Sequence, residues 1–184
     1  MLVKWMKMLL IVGLTVATVS LMILYLDITS AAFSLGVNFA LMFWFTLFES
    51  QLKPKLNSTY FNSQPFEKQG KWYKKLGVEG YRTILTKIGW EKMRQQQTPI
   101  KKDLRAFQVY ERASRVAEVG HLVIGGIVLI ITTYVILMYS IKDALWLILF
   151  NLVLNIYPIL LQRYTRPRLQ RMIKKFEVTE LTSV

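Results

Sequence analysis

The sequence predicts an all-α integral membrane protein with four transmembrane helices and a cytoplasmic helical or interfacial segment between helices 2 and 3. Three observations carry that prediction: four long uncharged apolar runs, cationic residues crowded between and after them, and a helical period in the polar segment. The runs cover 8–26, 31–48, 122–139 and 144–161 of the 184 residues. At ~1.5 Å of helical rise per residue, each is long enough to cross a hydrocarbon core of ~30 Å or nearly so.

The first run follows Lys4 and Lys7, as a secretion signal would, but its apolar core exceeds the usual ~7 to 15 residues and no small-x-small cleavage site follows. A retained helix is therefore expected. It turns through "LDITSA" into the second run, and the third and fourth runs turn through "YSIKDA", which makes two tight hairpins. The chain accordingly divides into a transmembrane hairpin (1–49), a cytoplasmic or interfacial segment (50–116), a second hairpin (117–163) and a basic cytoplasmic tail (164–184). Cysteine is absent, so disulfides, thiolate nucleophiles and Cys-ligated metals play no part.

A net charge of +13 would suit nucleic acid, but its distribution does not. Of the 24 Lys and Arg, 2 precede the first run, 15 lie between Ser50 and Gly120, 6 follow Leu161 and Lys142 alone lies in the last hairpin turn. Cations gather on the cytoplasmic side of bilayers, so both termini and the central segment are expected in the cytoplasm, at the cell membrane. The excess charge would face anionic headgroups. Membrane lipids, and not nucleic acid, are the expected partners.

Within the central segment Tyr81, Ile84, Leu85 and Ile88 fall at i, i+3, i+4 and i+7, an apolar stripe opposite Arg82, Thr86 and Lys87. The stripe could lie in the headgroup plane with Trp72, Tyr73 and Trp90 as anchors, or close a small soluble core. A break is expected at "MRQQQTPIKK", where Pro99 interrupts helix. From about Lys101 a second helix should run through "DLRAFQVYERASRVAEVGH" directly into the third span. Gly120, Gly125 and Gly126 in that passage suit close helix packing and not a phosphate loop, since no strand precedes them and the G-x-G-x-x-G spacing is missing.

On that helix Glu111, Arg115, Glu118 and His121 share a face. Glu118 could hold a ring nitrogen of His121, the one histidine in the chain, and so position a general base for an alcohol. Two other readings compete: His121 caps the membrane boundary while Glu118 pairs with Arg115 on a solvated face, or an E-x-x-H pair binds metal as in di-iron bundles. The metal reading needs a second such pair, so no metal is expected. Span four adds Asn151, Asn155, Pro158 and Gln162 at i, i+4, i+7 and i+11, and amides at membrane depth are costly unless paired or functional. If spans three and four are antiparallel neighbours, His121 and Gln162 stand equally far from the turn at 141–142, with Asn155 ~10 Å deeper.

Three stretches in order, "FEKQGKWYKKLGVEGYR" (66–82), the R-x-x-E-x-x-H of Arg115, Glu118 and His121, and "NIYPILLQRYTRPRLQR" (155–171), resemble the glycosyl-4,4'-diaponeurosporenoate acyltransferase family. The resemblance runs from about Tyr60 to Arg171 and is most specific at "QRYTRPRL", where Thr165 occupies the Asn position of a Q-R-Y-N-R-x-R-L pattern. It implies a membrane O-acyltransferase that moves a fatty acyl group onto a hydroxyl, a sugar hydroxyl above all, of a lipid or carotenoid glycoside. It also implies catalysis by His121 with Glu118. Substrate binding would fall to Arg115, Asn155, Gln162, Arg163, Tyr164, Arg166 and Arg168, with Glu67, Lys71 and Trp72 covering the site. No bound cofactor is implied; acyl-CoA, acyl carrier protein or a phospholipid would serve as donor cosubstrate. A non-enzymatic adaptor that gathers anionic lipids or a partner protein is the alternative, and a small transporter comes last because no carboxylate lies mid-membrane.

Overall fold

The computed structural model describes residues 2–67, 69–90, 92 and 103–182, and among these it is helical with no strand. The expected break around Pro99 lies outside the described residues. The helices are α1 (Leu2–Tyr25), α2 (Ala31–Leu52), α3 (Lys71–Lys74), α4 (Val78–Lys87), α5 (Leu104–Met138), α6 (Leu145–Asn151) and α7 (Tyr157–Thr182), with short 3-10 turns at Thr59–Phe61 and Pro65–Glu67. A π-helical turn, Leu152–Ile156, joins α6 to α7. Among the described residues four helices are long and apolar enough to cross a membrane: α1, α2, α5 and the continuous helix Leu145–Thr179.

Local chemistry accounts for the boundaries. Asp27 Oδ1 accepts the N–H and the hydroxyl of Thr29 at 2.9 and 2.8 Å and tightens the first turn. Ser30 Oγ then caps α2 by accepting the Phe33 N–H at 3.1 Å. Asp103 Oδ1 accepts the Ala106 N–H at 2.7 Å and starts α5, which continues into the third span without a break, as the sequence predicts. Pro158 has no N–H for the Leu154 carbonyl, and the helix adjusts just ahead of it: Tyr157 N–H reaches back five residues to Leu152. The helix of the fourth run continues beyond the apolar residues. The helix runs on to Thr182 with Pro167 inside it.

The chain forms two compact units, Met1–Lys55 with Val119–Pro158, and Leu56–Glu118 with Ile159–Val184. Unit 1 holds the first three apolar runs and the fourth as far as Pro158. Its core is Phe33, Val37, Leu41, Ile124, Val128, Val135, Ala144 and Leu147. In its first hairpin Trp44 Nε1 donates to Thr18 Oγ1 at 3.1 Å and Lys4 Nζ to the Leu52 carbonyl at 3.1 Å, which pins α1 and α2 antiparallel. Among α1 residues only Met8 is buried. An apolar helix with so little protein cover is suited to lipid tails. The glycines behave as expected in two places out of three. A Cβ on Gly120 would meet Phe45 Cε1 at 2.8 Å and one on Gly125 would meet Asn155 Cβ at 3.2 Å, whereas Gly126 faces open space.

Unit 2 packs Tyr73 and Val78 against Tyr164, Leu160 and Leu161. Gly70, at φ 87°, lets the chain approach the Tyr164 carbonyl, which a Cβ there would meet at 2.7 Å. Of the α4 stripe, Tyr81 and Leu85 are half-buried while Ile84 and Ile88 are 58% and 68% exposed, and Trp90 is exposed beyond them.

Candidate active-site residues

Each unit carries a buried polar cluster. That of unit 2 is ionic and buried. Glu118 on α5 is fully buried, and Glu67 and Arg166 nearly so. Glu118 Oε1 accepts from the Tyr60 hydroxyl at 2.9 Å and lies 3.1 Å from Arg163 Nε, while its Oε2 pairs with Arg166 Nη2. Arg163 Nε also lies 3.5 Å from Glu67 Oε1, so one guanidinium bridges two carboxylates. Its Nη1 donates to the Tyr60 and Asn62 carbonyls at 2.9 and 3.3 Å. Glu67 is anchored further by the Tyr73 hydroxyl at 2.5 Å and the Gln64 N–H at 2.7 Å. Burial in such surroundings is tolerable because each charge meets its opposite.

Around this centre the other α5 residues find partners. Arg115 pairs with Glu111 at 2.7 Å and donates to the Leu56 carbonyl at 2.5 Å. Phe61 lies under both Arg115 and Arg166, each 5.3 Å from the ring centroid. Ser114 donates its hydroxyl proton to Gln162 Oε1 at 2.8 Å and accepts from Arg166 Nη2 at 3.2 Å. Arg166 Nε and Nη1 are buried with no hydrogen-bond partner among the described residues.

Burial first, and then the bond to Glu118, raises the Tyr60 phenol above its ordinary value. Burial and then Glu67 do the same to Tyr73. Both therefore stay proton donors to their carboxylates. Glu79 is held below the usual carboxylate range by the Tyr164 hydroxyl, at 2.7 Å, and then by Lys74. Arg168 donates to Tyr164 at 2.8 Å, and Lys71 and Trp72 stand exposed on α3.

The cluster of unit 1 is made of amides and the imidazole. His121 is half-buried on α5, with Nδ1 3.4 Å from Asn155 Oδ1. Asn155 is fully buried and donates both amide hydrogens, to Asn38 Oδ1 at 2.6 Å and Asn151 Oδ1 at 3.0 Å. Asn38 donates in turn to the Ser34 carbonyl at 2.8 Å and Asn151 to the Gly125 carbonyl at 3.1 Å.

Glu118, assigned to the imidazole on helical spacing, has Tyr60, Arg163 and Arg166 as its partners. Arg115 pairs one turn back with Glu111, so Glu118 does not sit on a solvated face either. Asn155, expected to donate to substrate, has both amide hydrogens committed to neighbouring asparagines. Two participants escaped the sequence reading, Tyr60 and Asn38. Nothing local marks Tyr60, but Asn38 is the one amide in the second apolar run.

A family model described as glycosyl-4,4'-diaponeurosporenoate acyltransferase matches residues 57–175. No curated protein and no solved structure gives a match. The matched stretch takes in the whole ionic cluster of unit 2 and, from unit 1, His121, Asn151 and Asn155, and it begins after Asn38. With a match over more than half of its length, the chain belongs to the glycosyl-4,4'-diaponeurosporenoate acyltransferase family.

Proposed function

We propose that this protein is an ester-forming enzyme of the cell membrane, with both termini in the cytoplasm, that moves a fatty acyl group onto a sugar hydroxyl of a carotenoid or lipid glycoside. The observation that carries the proposal is His121. It is a half-buried imidazole in an apolar helix, held by a buried amide, in a chain with no other histidine and no cysteine. A positioned imidazole takes the proton of the acceptor hydroxyl as its oxygen attacks the acyl carbonyl. The new C–O ester bond forms, the bond to the donor's thiol or alcohol breaks, and the imidazolium returns its proton to that leaving group.

Direct transfer suits the residues better than an acyl-enzyme. The Ser114 hydroxyl gives its proton to Gln162, an amide with no capacity to act as a base. The donor would be an acyl-CoA, acyl carrier protein or phospholipid, whose phosphate suits a cationic side chain. Exposed Lys71, Trp72 and Arg168 are candidates for donor or headgroup contact. Glu118 and Glu67 are assigned a different part, that of holding Arg163 and Arg166 in place. The test is mass spectrometry of lipid and pigment extracts from cells with and without the protein. One species heavier by a fatty acyl group is expected with it; no such species, with the protein well inserted, would favour the adaptor.

A further inference from the structure

We infer that Asn38, Asn151 and Asn155 are positioning residues that fix which nitrogen of His121 carries the proton, so that Nε2 is the nitrogen that takes the acceptor's proton. The inference rests on the proposed acyl transfer for its purpose but not for its geometry.

The geometry is a chain of hydrogen bonds whose direction is set at its ends. An asparagine offers a carbonyl that only accepts and an amide that only donates. The Ser34 and Gly125 carbonyls can only accept. They therefore require the amide nitrogens of Asn38 and Asn151 to face them, at 2.8 and 3.1 Å. This leaves Asn38 Oδ1 and Asn151 Oδ1 facing Asn155 at 2.6 and 3.0 Å, and two oxygens there require its amide nitrogen between them. Asn155 Oδ1 is then the atom turned toward the ring, 3.4 Å from Nδ1. Turning any one of the three amides would set oxygen against oxygen in a buried place, since Asn38, Asn151 and Asn155 are all buried. An acceptor at Nδ1 calls for a proton on Nδ1. A neutral ring with its proton there has its lone pair on Nε2.

The arrangement gives Asn38 a part that no local reading assigns to it. It stands on α2, before the residues matched by the family model, and reaches the imidazole only through Asn155. The first hairpin is then an element of the reaction chemistry and more than an anchor. Gly125 joins it because a side chain there would press on Asn155 and Asn151.

A single histidine makes the test direct, because selective ¹⁵N-histidine labelling of the full chain in lipid nanodiscs gives one pair of ring resonances. The wild-type chain is expected to show a protonated, pyrrole-type Nδ1 and an unprotonated, pyridine-type Nε2. A ring with its proton on Nε2 overturns the inference without any variant. Asn38→Ala should move the pair toward the other tautomer. Since a general base contributes ~10²- to 10⁴-fold, partial loss of the competent tautomer should lower kcat by roughly tenfold, with the KM for the acceptor unchanged. Unchanged resonances in Asn38→Ala, whether or not kcat falls, would overturn the role of Asn38. If the wild-type chain transfers no acyl group at all, the proposed function fails, and the ring resonances still decide the tautomer.

Discussion

Unit 1 buries amides where unit 2 buries charges, and the two clusters differ in what holds them together. In unit 1 each asparagine amide nitrogen donates to a carbonyl, and the donors and acceptors run in one direction to the imidazole. In unit 2 Glu67 and Glu118 share Arg163, and Glu118 adds Arg166, so charge is neutralised over a network and not bond by bond. Dipoles cost less to bury than charges, and they fix direction, which matters to a ring with two possible protonation sites. Ion pairs hold distant segments rigidly, but removing one partner leaves an uncompensated buried charge.

The largest expected effect breaks that contrast on the ionic side. Glu118→Ala would strand Arg166 and half-strand Arg163, and should cost about 3 to 5 kcal/mol in denaturant or thermal unfolding of unit 2. Replacing the pair together, Glu118→Leu with Arg166→Met, should cost clearly less than either single change, because no lone charge remains. Equal losses in all three variants would mean that packing, not charge, dominates there.

On the amide side the effects are smaller. Gly125→Ala sets a methyl 3.2 Å from Asn155 Cβ and 3.3 Å from Asn151 Oδ1. Overpacking of that kind should destabilise unit 1 by about 1 to 3 kcal/mol, whereas Gly126→Ala, facing open space, should be silent in the same unfolding measurement. Asn151→Ala loses two amide bonds, and at ~0.6 kcal/mol each it should cost about 1 kcal/mol, at the low end of the range for Gly125→Ala.

Raising the pH should separate the units in another way. Tyr60 and Tyr73 are held protonated above the ordinary tyrosine value, by burial and then by their carboxylate partners. A folded-state pKa raised in this way contributes stability in full below the unfolded value of about 10 and loses it as pH climbs through the folded value. Unit 2 should therefore weaken above about pH 10, and Tyr73→Phe should flatten that alkaline slope. A slope unchanged by the substitution would remove the phenol from the account.

How much of this was legible in the sequence follows from range. The four spans, the helix that runs unbroken into the third, and the close packing at Gly120 and Gly125 all rest on composition and spacing within one or two elements, and they read correctly. The partners of Glu118 do not, because Tyr60 and Arg163 lie 58 and 45 positions away and no helical period connects them to it. Spacing could only offer Glu118 its neighbours on the same helix, Arg115 and His121. Asn38 is a different kind of omission. The rule that singles out Asn151 and Asn155, that a membrane amide needs a partner, applies equally to the one amide in the second span. Pairing it with Asn155, 117 positions on, still required the fold.

The central claim is that His121 serves as the base of an acyl transfer, and one substitution tests it most directly. Cells expressing the chain and its His121→Gln variant, at equal amounts in the membrane, should differ in a single respect: the acceptor glycoside made heavier by a fatty acyl group is formed with the first and lost with the second. Equal yields of that acylated product from both would contradict the claim.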